Sequence, residues 1–145
     1  MKIRLMTEND LPAVLDIERQ SFKTPWTEGM FLSELKNPGS TYYIVEIEGK
    51  VVAFCGFLRI LDDADILNVA VSRNFRRRKI ASALIKKITD EAAAVGIKNL
   101  FLEVNHNNVA AISLYESFGF QQTGRRKKYY ENTDDALIYA LKLGG

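Results

Sequence analysis

Residues 69–84 read VAVSRNFRRRKIASAL: a short β-branched run, a loop with five cations in seven residues (Arg73, Arg76, Arg77, Arg78 and Lys79), and the start of an apolar-periodic helix. A strand that feeds a basic loop onto a helix N-terminus is a physical recipe for a phosphate site. The first helical N–H groups have no intrahelical partner, the helix dipole favours an anion there, and flanking Arg or Lys side chains add charge-assisted hydrogen bonds. The same residues also suit a solvated basic loop, and spacing alone leaves both readings open. Nucleic-acid binding is the least supported, because Phe75 is the one aromatic residue in the cluster.

Working outward, Ile80, Leu84, Ile88, Ala92 and Val95 recur at helical spacing, with Gly96 placed as a C′ residue. Upstream, residues 66–71, 51–60 and 42–47 are β-rich runs. Glu48-Gly49-Lys50 joins two of them as a hairpin, and Asp62 and Asp63 set off the third. Nearer the start, residues 2–6 alternate as a strand. Thr7 is placed to cap a helix over 8–21 with Leu11, Val14, Leu15 and Phe22 on one face. Pro25 biases Thr24 out of the α region, so 22–26 is a loop, and Thr27 then caps a second helix carrying Phe31 and Leu35. Downstream, 99–104 reads as a buried strand and 108–118 as a helix stopped by Gly119. Residues 120–128 and 136–143 read as a closing strand pair. This order predicts an α/β (mixed α+β) fold in a single domain spanning 1–145: a central mixed, twisted sheet of about seven strands with helices on both faces.

Composition narrows the class. The chain has 145 residues, 47% hydrophobic and 26% charged, enough for one core without disulfide or metal staples. A net charge of +2 argues against bulk nucleic-acid binding, so any basic site is local. One cysteine, Cys55, allows no internal disulfide and points to a reducing compartment. The charged first twenty residues contain no signal-peptide core, and no apolar run is long enough to span a bilayer. A cytoplasmic location with no membrane partner is the expectation.

A second constellation is LEVNHNNVAAISLYESFGF, residues 102–120. It places a carboxylate, Glu103, at a strand end and a tyrosine, Tyr115, two turns into the next helix. Asn108 caps that helix or binds a ligand amide. Tyr115 shares a face with Ala111 and Phe118 and reads as core or as chemistry.

Together these motifs resemble the GNAT acetyltransferases: Val69-Ala70-Val71, Arg76-x-x-Lys79-x-Ala81, Leu102-Glu103-Val104 and Asn108-x-x-Ala111-Ile112-x-Leu114-Tyr115-Glu116-x-x-Gly119-Phe120. Within that family the chain is similar to the branch that acetylates an N-terminal alanine of a ribosomal protein. Glu18, Ser21-Phe22 before Pro25-Trp26, Arg126 before Tyr129-Tyr130, and Asp135-Ala136 extend the likeness over almost the whole chain. The resemblance implies that acetyl-CoA is the cosubstrate, with no metal, and that the acceptor is the N-terminal α-amine of a small-subunit ribosomal protein or another peptide. No specific nucleic acid is expected as partner, and a monomer or weak dimer is. Val69, Ala70 and Val71 would align pantetheine and the acetyl carbonyl. The loop Arg76, Arg77, Arg78, Lys79, Ile80, Ala81 and Ser82 would hold the pyrophosphate, and Asn108 the CoA arm. Glu103 would act as general base and Tyr115 as general acid, with Trp26, Tyr129 and Tyr130 at the acceptor. The chemistry is consistent with these roles. A peptide α-amine with pKa of about 8 must lose a proton before attack, and the departing thiolate benefits from an acid. A carboxylate with an ordinary pKa of about 4.3 is a weak base, so Glu103 is expected partly desolvated or working through water.

Three positions depart from the family pattern. Lys79 stands where the phosphate loop has its first glycine, which predicts a negative φ, with Lys79 as the first residue of the helix. Asn105 and Asn107 replace an arginine and a serine and bear on acceptor choice. Other groups have plainer readings. Cys55 is expected to be a buried structural thiol and His106 a solvated loop residue. Asp62, Asp63 and Asp65 are expected in a turn, and the 125–128 cations in solvent. The alternatives are a small-molecule amine acetyltransferase of the same fold and a degenerate CoA-binding module without catalysis, the latter motivated by Lys79.

Overall fold

A computed structural model describes residues 1–76, 79–130 and 134–144. In chain order it contains β1 (Lys2–Leu5), α1 (Leu11–Ser21), α2 (Glu28–Lys36), β2 (Ser40–Ile47), β3 (Lys50–Ile60), β4 (Asp63–Val71), α3 (Ile80–Ala94), β5 (Asn99–Asn105), α4 (Val109–Ser117), β6 (Gln121–Tyr130) and β7 (Asp134–Lys142). The seven strands form one mixed sheet in the order β1-β2-β3-β4-β5-β7-β6. The parallel pairing of β4 with β5 runs from Asp63 opposite Asn99 to Asp65 opposite Phe101. β5 pairs antiparallel with β7, and β7 with β6. The chain divides into two compact units, Met1–Arg59 with Ile66–Ile88, and Ile60–Asp65 with Thr89–Gly145.

In the first unit, β2 and β3 meet in a two-residue turn where Glu48 and Gly49 have φ of 52° and 76°. This left-handed pair matches the twist of a tight hairpin. Tyr42 lies opposite Gly56 in that hairpin, and a Cβ at Gly56 would come within 2.5 Å of the Tyr42 ring, so glycine alone leaves the ring its place. Phe31 of α2 is fully buried and packs against Phe54 at 5.7 Å, Tyr42 at 6.2 Å and Trp26 at 5.2 Å between ring centroids. Val14, Ile17, Ile44 and Phe54 complete this core. The Tyr42 hydroxyl is buried without a hydrogen-bond partner among the described residues.

The predicted first helix begins differently. Glu8–Asp10 is a 3-10 turn, and α1 starts at Leu11 with Pro12 in its first turn, the one place where a missing N–H is harmless. Thr7 is the N-cap of the 3-10 turn, and it forms a capping box with Asp10 in which the Thr7 N–H donates to Asp10 Oδ2 at 2.8 Å. Phe22 lies beyond the helix and is largely exposed. Thr27 caps α2 as expected, its Oγ1 accepting from Met30 N at 3.3 Å.

In the second unit, Leu100, Leu102 and Val104 of β5 are buried, so two-residue alternation turns Glu103 to the other side of the strand. Tyr139 is buried and donates its hydroxyl to Glu116 Oε2 at 3.0 Å. Gly119, with φ of 93°, ends α4 in the conformation glycine permits. Gly96 (φ 82°) follows α3, and Val95, counted among the helix's apolar positions, is exposed just past its end.

One expectation about polar groups is corrected. Asp63 and Asp65 lie in β4 and not in a turn, and Asp63 Oδ1 accepts from Asn99 Nδ2 at 3.0 Å; the turn is at Leu61-Asp62, where Leu61 has φ of 58°. Arg125 and Arg126 are exposed, in keeping with the expectation of solvated charges at 125–128, and each also pairs with a carboxylate: Arg125 with Asp135 at 2.5 Å, and Arg126 with Glu103 at 3.2 Å. Cys55 is fully buried, and burial pushes its thiol well above the usual range. Among the described residues, no helix is long and apolar enough to cross a membrane.

Candidate active site

The first unit carries the candidate donor-binding residues. Ala70 is buried in β4, while Val69 and Val71 are half-buried. Arg76 turns back on the strand: its Nε donates to the Val71 carbonyl at 3.0 Å and its Nη2 to Ser21 Oγ at 3.4 Å. Its exposed guanidinium thus ties the loop to the end of β4 and to α1. Arg77 and Arg78 lie outside the described residues.

Lys79 overturns the expectation of a negative φ. Its φ is 61°, and it precedes α3, which begins at Ile80. The backbone therefore keeps the left-handed bend that glycine adopts freely, at a cost of roughly 1–2 kcal/mol for a residue with a Cβ. The Lys79 carbonyl accepts the first helical bond from Ala83 N at 3.1 Å. A lysine side chain has no acceptor with which to cap a helix, and the first turn of α3 contains no acidic residue. Ile80 is buried, Ala81 and Ser82 are half-buried, and Lys79 is exposed.

The second unit carries the candidate acid–base pair. The Glu103 side chain retains 29% exposure and its Oε1 stands 3.2 Å from Arg126 Nε, so the carboxylate is partly withdrawn from solvent and ion-paired. Arg126 also sits 5.4 Å above the Tyr129 ring, so Glu103, Arg126 and Tyr129 form one connected row. Tyr129 is half-exposed; the Tyr130 side chain lies outside the described residues. Tyr115 is buried, its ring 5.8 Å from that of Phe120. Asn108 is the N-cap of α4, with Oδ1 accepting from Ala111 N at 3.2 Å. Asn105 and His106 are drawn to the start of β7: Asn105 Nδ2 donates to Asp134 Oδ2 at 3.0 Å, and His106 N to the Asp135 carbonyl at 3.0 Å.

Trp26, back in the first unit, is half-buried against Phe31, and its N–H donates to Glu18 Oε2 at 2.8 Å. Sequence reading placed Glu18 only as a family-like outlier. Its signal is positional: residue 18 falls four residues after Val14 and seven after Leu11, on the apolar stripe of α1. Arg126 as the partner of Glu103 had no local signal, since the two residues are brought together only by the pairing of β5 and β6 with β7.

A strand–basic loop–helix element and a strand-borne carboxylate followed by a tyrosine-bearing helix define the class as an acyl-group transferase of mixed α/β fold. Comparison with known proteins makes this specific. The family model described as "Acetyltransferase (GNAT) family" matches residues 11–120. The [Ribosomal protein bS18]-alanine N-acetyltransferase of Escherichia coli K12 is 38% identical over 146 residues, covering 97% of each chain. The enzyme of that name from Salmonella typhimurium is 35% identical over the same shares. The crystal structure of the ribosomal-protein-S18-alanine N-acetyltransferase from Escherichia coli superposes with a TM-score of 0.93 at 34% identity, covering 99% of this chain and 94% of that one. The chain belongs to the GNAT family of acetyltransferases.

Proposed function

We propose that this acetyltransferase moves the acetyl group of acetyl-CoA to the N-terminal α-amine of alanine on a small-subunit ribosomal protein. The observation that carries this reading is the 38% identity over 97% of both chains with an enzyme named for that reaction. The family match crosses both compact units, which supports reading the chain as one GNAT domain.

Acetyl-CoA supplies an activated thioester whose carbonyl carbon the amine attacks. The residues here suit such a cosubstrate. Lys79 at φ 61° retains the glycine-like bend, and the first turn of α3 has no carboxylate to compete for its N–H groups, which supports a functional loop over a degenerate module. The loop from Arg76 to Ser82 and the cap residue Asn108 would hold the CoA, and backbone groups of Val69–Val71 would orient the thioester. These lie farther along β4 than the paired stretch 63–65. Glu103 takes the amine's proton, directly or through a water, with its carboxylate part-buried and ion-paired to Arg126. As the tetrahedral intermediate collapses, the C–S bond breaks and Tyr115 gives its proton to the leaving sulfur. No covalent enzyme intermediate is needed. Trp26, Tyr129 and Tyr130 would flank the peptide.

The test is a mass-spectrometric turnover assay with acetyl-CoA, an alanine-starting ribosomal peptide, internal-lysine controls and a panel of small amines. One acetyl group on the peptide α-amine is expected; transfer to small amines alone overturns the acceptor assignment. Glu103→Gln is expected to lower turnover by about 10²–10³-fold with acetyl-CoA affinity unchanged. Arg126→Gln, which breaks the same ion pair but keeps the carboxylate, is expected to lose about tenfold or less. Unchanged turnover in Glu103→Gln removes it from the base role.

A further inference from the structure

Glu18 is a carboxylate with 1% exposure in the last turns of α1, and among the described residues no cation hydrogen-bonds to it. Its donors are neutral: Trp26 N–H to Oε2 at 2.8 Å, and Asn68 Nδ2 to Oε1 at 3.0 Å and to Oε2 at 3.1 Å. Burying a carboxylate this way carries a desolvation penalty of several kcal/mol, and an apolar side chain at this stripe position would serve stability better. What an apolar residue could not do is bridge the two donors. One is the backbone of the 22–27 loop at Trp26. The other stands on β4, one residue before Val69.

We propose that Glu18 is a positioning residue of the transferase: its buried carboxylate fixes the Trp26 loop to β4, so that the acceptor's wall is registered on the strand that orients the thioester. This rests on the reading of Trp26 as an acceptor contact. The loop contains Pro25, lies in no strand, and is bracketed by exposed Phe22 and the α2 cap Thr27, and the Trp26 N–H ties it inward to α1. The loop would then present its indole in one orientation before the acceptor arrives, and that preorganisation should show in acceptor KM.

Trp26 is the one tryptophan in the chain, so its fluorescence reports on this loop alone. Acrylamide quenching of Trp26, acceptor-peptide KM, kcat and acetyl-CoA Kd are measured for the wild type, Asn68→Asp and the reciprocal double variant Glu18→Gln/Asn68→Asp. In the single variant a second carboxylate faces Glu18 and the strand's leg is lost. In the double variant the new carboxamide oxygen can accept from Trp26 N–H while its amide donates to the new carboxylate, restoring both legs. Asn68→Asp is expected to raise the quenching constant about twofold and acceptor KM about tenfold, with kcat and acetyl-CoA Kd within about threefold; the double variant returns both. Unmoved quenching and KM in Asn68→Asp overturn the proposal, as does a double variant no better than the single, because a merely structural loss would not be rescued. Should Asn68→Asp not fold, Asn68→Ala removes only the strand's leg and must show the same two shifts. Trp26→Ala is measured alongside. A raised KM there with an unmoved KM in Asn68→Asp rejects the clamp alone, while unmoved KM in both rejects the acceptor reading on which it rests.

Discussion

At Lys79 a residue with a Cβ holds a backbone angle that glycine enters without strain. Its φ of 61° stands directly before α3, where the Lys79 carbonyl opens the helical ladder. Lys79→Gly should therefore relieve strain, offset in part by the freedom glycine gains when unfolded. The expected net gain is about 0.5–1 kcal/mol in urea denaturation, with acetyl-CoA affinity undiminished. Lys79→Val, β-branched, should lose more than about 1 kcal/mol in the same measurement. The sequence exposed the departure at this position but not its resolution, because substitution of lysine for glycine is compatible with either a changed bend or a strained one. Only the loop's closure between β4 and α3 decides between them.

Among the elements, α4 shows how one residue can answer to two roles. Asn108 was legible both as a cap and as a ligand contact, and its Oδ1 is engaged by Ala111 N. The two roles are separable, because aspartate caps as well as asparagine does whereas alanine does not. Asn108→Ala is expected to destabilise by about 1 kcal/mol and Asn108→Asp by less than about 0.5 kcal/mol, read from chemical denaturation. If Asn108 also contacts the CoA arm, Asn108→Asp alone weakens acetyl-CoA binding at full stability, through repulsion of the anion. The strand β5 was equally legible. Its apolar alternation at Leu100, Leu102 and Val104 dictates that Glu103 faces away from the core. What alternation could not give was Arg126, twenty-three residues later in the chain.

Across the whole molecule, stability against acid depends on groups far apart in sequence. Arg4 donates Nε to Glu46 Oε1 at 2.7 Å, and Nη1 and Nη2 to Asp10 Oδ2 and Oδ1 at 2.8 Å each. These bonds, Arg4's first among them, hold the buried Asp10 carboxyl below its ordinary value of 3.8. Because the folded value is depressed, the stabilisation is fully present above the unfolded value and is lost as pH falls through the folded one. Asp10→Asn should cost about 2 kcal/mol near pH 7, and the gap to the wild type should narrow steadily below about pH 4. Denaturation midpoints measured across that range check both the size and the sign. A gap that widens with acid contradicts the assignment.

By itself, the sequence determined the family, the order of strands and helices, the helix cap at Thr27, the tight hairpin at Glu48-Gly49, and the placement of Glu103 at the end of a strand. All of these follow from local periodicity, turn chemistry and short motifs. The tertiary structure alone decided the partners of charged groups: Glu18 with Asn68 and Trp26, Glu103 with Arg126, Arg4 with Asp10 and Glu46. A hydrogen bond between residues fifty positions apart leaves no mark on either local pattern. Its geometry exists only once the sheet order and α1 packing bring the two backbones within reach of each other's side chains.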